Sequence, residues 1–287
     1  MTRFNAARRG TLAAAAVSLL SACSAPRALD LLVPRGTYRA RADQAYGPHA
    51  RHRLDAYLPL EASGPAPMVL FFYGGNWTRG ERADYRFVGE ALAHAGIVTL
   101  VADYRLSPEV RWTDILADCA AATKWAFDHA ASLGAAPDRI HVMGHSAGGY
   151  NAAMLALDPR WLKSHALAPE QLRGWIGLAG PYNFLPIQDP EVRVAFDWPG
   201  TPPESQPIVH ASARAPHSLL IAAASDKVVN PQRNTVTLAE RLEKLGAKVD
   251  VRLLDRVNHV TLMAALSAPL HWLAPVRREI IDFVSRA

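Results

Sequence analysis

No serine–glycine linker, block of like charge or self-similar period divides the 287 residues, so nothing marks a second domain or a repeat array. The chain has two cysteines, Cys23 and Cys119, too few for the disulfide scaffold of a small secreted fold. The longest apolar stretch near the N-terminus, Thr11 to Leu20, is too short to cross a bilayer. Basic residues are only slightly in excess, 31 against 26 acids, and three of them (Arg3, Arg8, Arg9) stand in an acid-free leader. A balance so close to even lacks the basic stripe that nucleic-acid binding needs, so no nucleic-acid partner is expected. His49 and His52 have no third and fourth ligand nearby, and neither a metal nor any other cofactor is expected. What the chain does have is 50% hydrophobic and 20% charged residues. That is enough for one sizeable core, and it excludes disorder and fibrous repeats.

Residues 1–22 combine a positive start, a short apolar run and small residues, the pattern of an export signal. Leu20-Ser21-Ala22-Cys23 resembles the lipobox of bacterial lipoproteins, which implies cleavage before Cys23 and a lipid on that cysteine. The expected organisation is a signal peptide (1–22), a lipid-anchored linker (23–45) and a catalytic domain (46–287). The resemblance implies a location at the bacterial cell envelope. Ser24, where inner-membrane retention uses Asp, favours the outer membrane if the envelope is Gram-negative. With Cys23 lipidated, Cys119 has no disulfide partner, and its Ala-rich helical setting makes it a small core residue.

Beyond the leader, short β-rich apolar runs alternate with helical patterns. Strands are expected at 53–58, 67–73, 97–102, 139–143, 175–179, 218–223 and 249–254. Helices are expected at 83–94, 113–133, 147–157, 231–245 and 277–284. Such alternation implies a mainly parallel sheet with helices on both faces, whose sites form at the carboxyl ends of the strands. Residues 182–216, rich in proline and aromatics, have no clear period and read as loops or a small cap.

Gly144-His145-Ser146-Ala147-Gly148 falls between a strand and a helix, the setting that a G-x-S-x-G nucleophile elbow requires. A serine hydroxyl needs a base to take its proton and a third group to orient that base, in the chain order Ser, acid, His. Asp226 and His259 each follow a later strand and are the expected acid and base. Asp255 is the rival acid, and His210, His217 and His271 are poorer bases by position. His145 is expected to pack under the elbow. The oxyanion of a tetrahedral intermediate needs backbone N–H donors, expected from Ala147 and from Gly74 and Gly75 after the strand ending at Tyr73. Asn76, Trp77, Tyr150 and Tyr182 are candidate substrate contacts, with Phe184 and Trp198 beside them. The aromatic residues suit core or cap packing equally well.

Tyr73-Gly74-Gly75-Asn76-Trp77, the elbow, Asp226 and His259 resemble the α/β-hydrolase esterases of the hormone-sensitive-lipase, feruloyl-esterase and arylformamidase-like group, as do Asp103-Tyr104-Arg105-Leu106 and Pro137-Asp138-Arg139-Ile140. The resemblance spans about residues 45–287 and implies that fold and a serine carboxylesterase acting on a small or aromatic ester. Alternatives are an aryl-formamide amidase on the same machinery and an inactive, surface-binding lipoprotein. One departure stands out. The group commonly has His-Gly-Gly at the oxyanion loop, and here Tyr73 replaces the histidine.

Overall fold

The computed structural model describes residues 29–61 and 64–286. Among these, eight strands form one sheet in the order β1-β2-β4-β3-β5-β6-β7-β8. They are β1 (Arg39–Ala45), β2 (Arg53–Leu58), β3 (Ala66–Phe72), β4 (Val98–Ala102), β5 (Ala135–His145), β6 (Gly174–Leu178), β7 (Ser218–Ala223) and β8 (Val249–Leu254). The β1/β2 and β2/β4 pairs are antiparallel, and the others are parallel. The helices are α1 (Arg86–Ala93), α2 (Trp112–His129), α3 (Ala147–Leu157), α4 (Pro159–Lys163), α5 (Pro190–Ala195), α6 (Thr237–Lys244), α7 (Thr261–Ala264) and α8 (Val276–Arg286). No described helix is long and apolar enough to cross a membrane.

Strands β3, β4, β6 and β7 are buried at every position, as expected where helices cover both faces of a parallel sheet. The register aligns their ends. Phe72 pairs with Ala102 on one side and Gly144 on the other, so the loop after β3 leaves beside the elbow after β5. Ala223 pairs with Leu254, which sends the loops carrying Asp226 and His259 off the same edge.

The linker reading of 23–45 needs correction at its end. Arg39–Ala45 is an edge strand paired with β2 rather than a tether. Its almost wholly exposed sequence RARADQA has only alanines as apolar residues, too small to mark the buried face by which a half-buried strand is recognised. The helix expected at 231–245 opens with a π turn over Gln232–Val236. There the Oδ1 of Asn234 accepts from the Tyr182 and Asn183 amides at 2.7 and 2.8 Å, tying the start of the cap to the body. The cap consists of α5 and the 3-10 turns Pro203–Ser205 and Pro207–His210.

Candidate active site

Ser146 sits between β5 and α3 at φ 53° and ψ −120°, a conformation that a side chain rarely adopts. The glycines around it make the turn possible. A β-carbon on Gly144 would lie 1.9 Å from the Gly148 carbonyl oxygen, and one on Gly148 would lie 2.0 Å from that of Phe72. The Ser146 amide donates to the Leu178 carbonyl at 2.9 Å, which fastens the elbow to β6.

The serine, histidine and aspartate singled out in the sequence meet here. Ser146 Oγ donates to His259 Nε2 at 2.9 Å, and His259 Nδ1 donates to Asp226 Oδ2 at 2.7 Å. The other Asp226 oxygen accepts from the Val228 and Val229 amides at 2.8 and 3.0 Å. Burial works to raise the Asp226 carboxyl, but the bond and charge of His259 and these two amides outweigh it, and the group stays below the usual carboxylate value. It is therefore ionised and holds the imidazole with its Nε2 lone pair toward the serine. Asp255, the rival acid, is exposed at the end of β8. His210 bonds the Glu204 carbonyl, His217 bonds Asp250, and His271 bonds the Ala268 carbonyl.

His145 does more than pack under the elbow. Its Nε2 donates to the His259 carbonyl at 3.0 Å, and its ring lies 4.8 Å from the His259 ring. Burial, helped by the neighbouring His259, lowers it to about 3, so it stays a neutral donor. Asn258 caps the turn after the base by accepting from the Val260 and Thr261 amides. The His145 bond escaped sequence reasoning because it depends on loops meeting across the sheet edge, whereas the Asn258 turn is local and its Asn two residues before Val260 is the signal that could have found it.

The oxyanion loop lies against the nucleophile, since a β-carbon on Gly74 would come 2.9 Å from Ser146 Cβ. Gly75 has φ +127°, and a β-carbon there would lie 2.2 Å from the Arg79 carbonyl oxygen. Ala147 opens α3, where the first amides have no carbonyl one turn back. Gly74 thus lies beside the nucleophile and Ala147 follows it in the chain at the start of helix α3, an end that favours negative charge.

Tyr73 points away from this pocket. Its ring is stacked between Tyr85 and Tyr104 at 5.3 and 4.8 Å, its hydroxyl donates to Asp103 Oδ1 at 2.8 Å, and Arg51 donates to it at 2.6 Å. Asp103 is also held by the Arg82 backbone and side chain at 2.7 and 2.6 Å.

Of the candidate substrate contacts, Trp77, Tyr150 and Tyr182 are fully buried in the core. Trp77 meets Tyr150 edge-on at 5.2 Å and Phe196 at 4.8 Å, and Tyr182 meets Trp175 edge-on at 6.0 Å. Their aromatic character reflects packing between the body and the cap. Asn76 is half-buried, and its amide reaches Asp189 at 3.4 Å, in the residue that caps α5. No group of three or more metal-ligating side chains occurs among the described residues.

Residues 54–193 match the BD-FAE family model, a span that includes the oxyanion loop and the elbow and stops before Asp226 and His259. The chain is 30% identical over 244 residues to a probable isoprenylcysteine alpha-carbonyl methylesterase of Arabidopsis thaliana, covering 77% of this chain and 51% of that protein. It is 29% identical over 228 residues to the probable carboxylic ester hydrolase LipM of Mycobacterium tuberculosis, covering 72% and 53%. The chain thus spans about half the length of the curated relatives it matches. Among solved structures, esterase 2 of Thermogutta terrifontis superposes with a TM-score of 0.71 at 22% identity, over 88% of this chain and 96% of that one. A truncated carbohydrate esterase from gut microbiota gives 0.72 at 18%, over 88% and 98%. Sequence and structure together show a chain with the α/β-hydrolase fold, similar to esterases in both respects, in which residues 54–193 match the BD-FAE model.

Proposed function

We propose that the protein is a serine carboxylesterase that hydrolyses a small or aromatic carboxylic ester. The observation that carries this reading is the hydrogen-bonded relay from Asp226 through His259 to a serine held at the elbow. Ser146 Oγ attacks the ester carbonyl carbon while its proton passes to His259 Nε2. The negative oxygen is held by the amides of Gly74, Gly75 and Ala147. His259 then returns the proton to the departing alkoxide as the carbon–oxygen bond breaks, leaving an acyl-serine. Water, deprotonated by the same histidine, attacks the acyl-serine and releases the acid. Ser146 and His259 are each only 8% exposed, which favours a compact ester over a long-chain fat.

The test is labelling by a fluorophosphonate together with turnover of nitrophenyl esters of rising acyl length, a feruloyl ester and an aryl formamide. Ser146→Ala is expected to abolish labelling and to lower turnover about 10³-fold or more, with the fold intact. Asp226→Asn is expected to be nearly as damaging, and Asp255→Asn close to neutral. Labelling that survives Ser146→Ala rejects the reading, and a preference for the formamide moves the activity to amide hydrolysis.

The same proposal places the protein at the cell envelope, carried by lipid on Cys23, which lies outside the described residues. Cys23→Ser is expected to move the protein from the detergent phase to the aqueous phase with its esterase activity unchanged. A wild-type protein already in the aqueous phase rejects the anchor.

A further inference from the structure

We propose that Asn151 is a positioning residue for the oxyanion loop, acting through Trp77. This inference rests on the esterase reading for its kinetic consequence and on geometry alone for the tie itself. The loop takes an unusual path. Gly75, Asn76 and Trp77 all have positive φ, at 127°, 52° and 60°, and two of the three carry side chains. Such a backbone persists only where its surroundings over-determine it. The Thr78 and Arg79 amides close back on the Gly75 carbonyl at 3.0 and 3.1 Å, and the Ser107 amide holds the Trp77 carbonyl at 2.8 Å. These bonds fix the turn internally and to the loop after β4. They do not set its distance from the nucleophile.

The Trp77 side chain makes that connection. Its Nε1 donates to Asn151 Oδ1 at 3.0 Å in the buried interior, and Asn151 belongs to α3, the helix that begins at the elbow. One hydrogen bond therefore joins the loop that supplies two oxyanion amides to the helix that supplies the third. Asn151 is a costly choice for this place. It is 0% exposed, and its Nδ2 has no oxygen or nitrogen acceptor among the described residues, lying beside the buried Cys119 thiol, which is a weak acceptor. A leucine would avoid that desolvated N–H and would leave the indole without an acceptor. The carbonyl is what the position requires.

The experiment compares Asn151→Leu, Trp77→Phe and the double variant with the wild type. In the double variant both polar groups are removed, so its melting temperature is expected to fall less than the sum of the two single falls, the remainder being the cavity left by the indole. Each variant is expected to lower kcat by about 10- to 100-fold, with KM changed less than about threefold, because a displaced oxyanion donor weakens the transition state and not substrate binding. The ratio of ester to thionoester turnover should fall, since a developing thiolate uses the oxyanion amides poorly. Hydrogen exchange should quicken in the peptide covering residues 74–79 and not in α3. An unchanged kcat and unchanged exchange in Asn151→Leu overturns the proposal. So does a loss of activity with the ester-to-thionoester ratio kept and exchange faster throughout, which is general destabilisation. If the wild type shows no Ser146-dependent turnover, the esterase reading falls alone, and the exchange experiment still decides whether Asn151 holds the loop.

Discussion

Tyr73 stands where the resemblance drawn from the sequence leads one to expect the histidine of His-Gly-Gly, and its contacts explain how a phenol can occupy the position. The ring braces β3 against Tyr85 and Tyr104, while the hydroxyl closes a cluster with Arg51 and Asp103 behind the oxyanion loop. Asp103 keeps two bonds from Arg82 if the phenol is lost, so no buried charge is left bare. Tyr73→Phe is therefore expected to cost about 1–2 kcal/mol of stability and less than about tenfold in turnover. Gly75→Val is expected to cost about 10²–10³ in turnover, because its β-carbon would meet the Arg79 carbonyl oxygen at 2.2 Å and the amide it carries must turn away. Steady-state kinetics on the two variants separates a side chain that supports the loop from a backbone that does the binding. Equal damage from both would make the phenol a direct participant.

Among the elements, legibility followed burial. The runs 218–223 and 147–157 coincide with β7 and α3, because a nearly continuous apolar segment between turn signals has few alternatives in a two-faced sheet. The run 249–254 coincides with the half-buried β8, whose apolar residues alternate with Asp250 and Arg252. The elbow was legible for a steric reason, since the spacing of Gly144 and Gly148 records two close backbone approaches. β1 was not, since an exposed edge strand of polar residues and alanines has no large apolar side chain to mark a buried face. The bond from His145 to the His259 carbonyl was also hidden, because it joins residues 114 apart through the register of four strands. Nor does a sequence say which way an aromatic ring faces, and Trp77, Tyr150 and Tyr182 turned inward. Helix α1 offers a test of how closely the elements are fitted. An alanine for glycine inside a helix ordinarily gains about 1 kcal/mol. At Gly89, however, the added β-carbon would stand 2.3 Å from the ring of Tyr57, a buried β2 residue also packed by Tyr38. Overpacking costs about 1–3 kcal/mol and exceeds the gain, so Gly89→Ala is expected to lower the urea midpoint. A rise would mean that α1 can lift off the sheet at little cost.

For the whole molecule, two buried histidines on β5 set the response to acid. Burial lowers His145 to about 3 and His141 to about 4, against the ordinary value of 6.5. Both rings are thus neutral in the folded protein near neutrality, and as the pH falls through 6.5 the unfolded chain takes up two protons that the folded one refuses. Stability rises with pH wherever the unfolded state binds more protons, so it is full above about pH 6.5 and declines below it by about 3 kcal/mol per unit until the folded-state values are reached. Asp226, held below its ordinary value of 3.8, adds a loss of the same sign only at still lower pH. Over two units the decline is about 6 kcal/mol, a large share of the about 5–15 kcal/mol that holds a domain together, so the urea midpoint is expected to fall steeply from pH 6.5 to about pH 4.5. His141 lets the cause be isolated. Its ring nitrogens make no well-formed hydrogen bond among the described residues, touching only the Met68 and Arg139 backbone, and the ring meets Phe283 edge-on at 5.9 Å, so phenylalanine can replace it with little loss of bonding. In urea titrations at pH 7, 6 and 5, His141→Phe is expected to lose stability with about half the slope of the wild type, while Ser146 stays reactive to a fluorophosphonate at pH 7. An unaltered slope would mean that His141 binds its proton equally in both states, leaving His145 and the carboxylates to account for the whole decline.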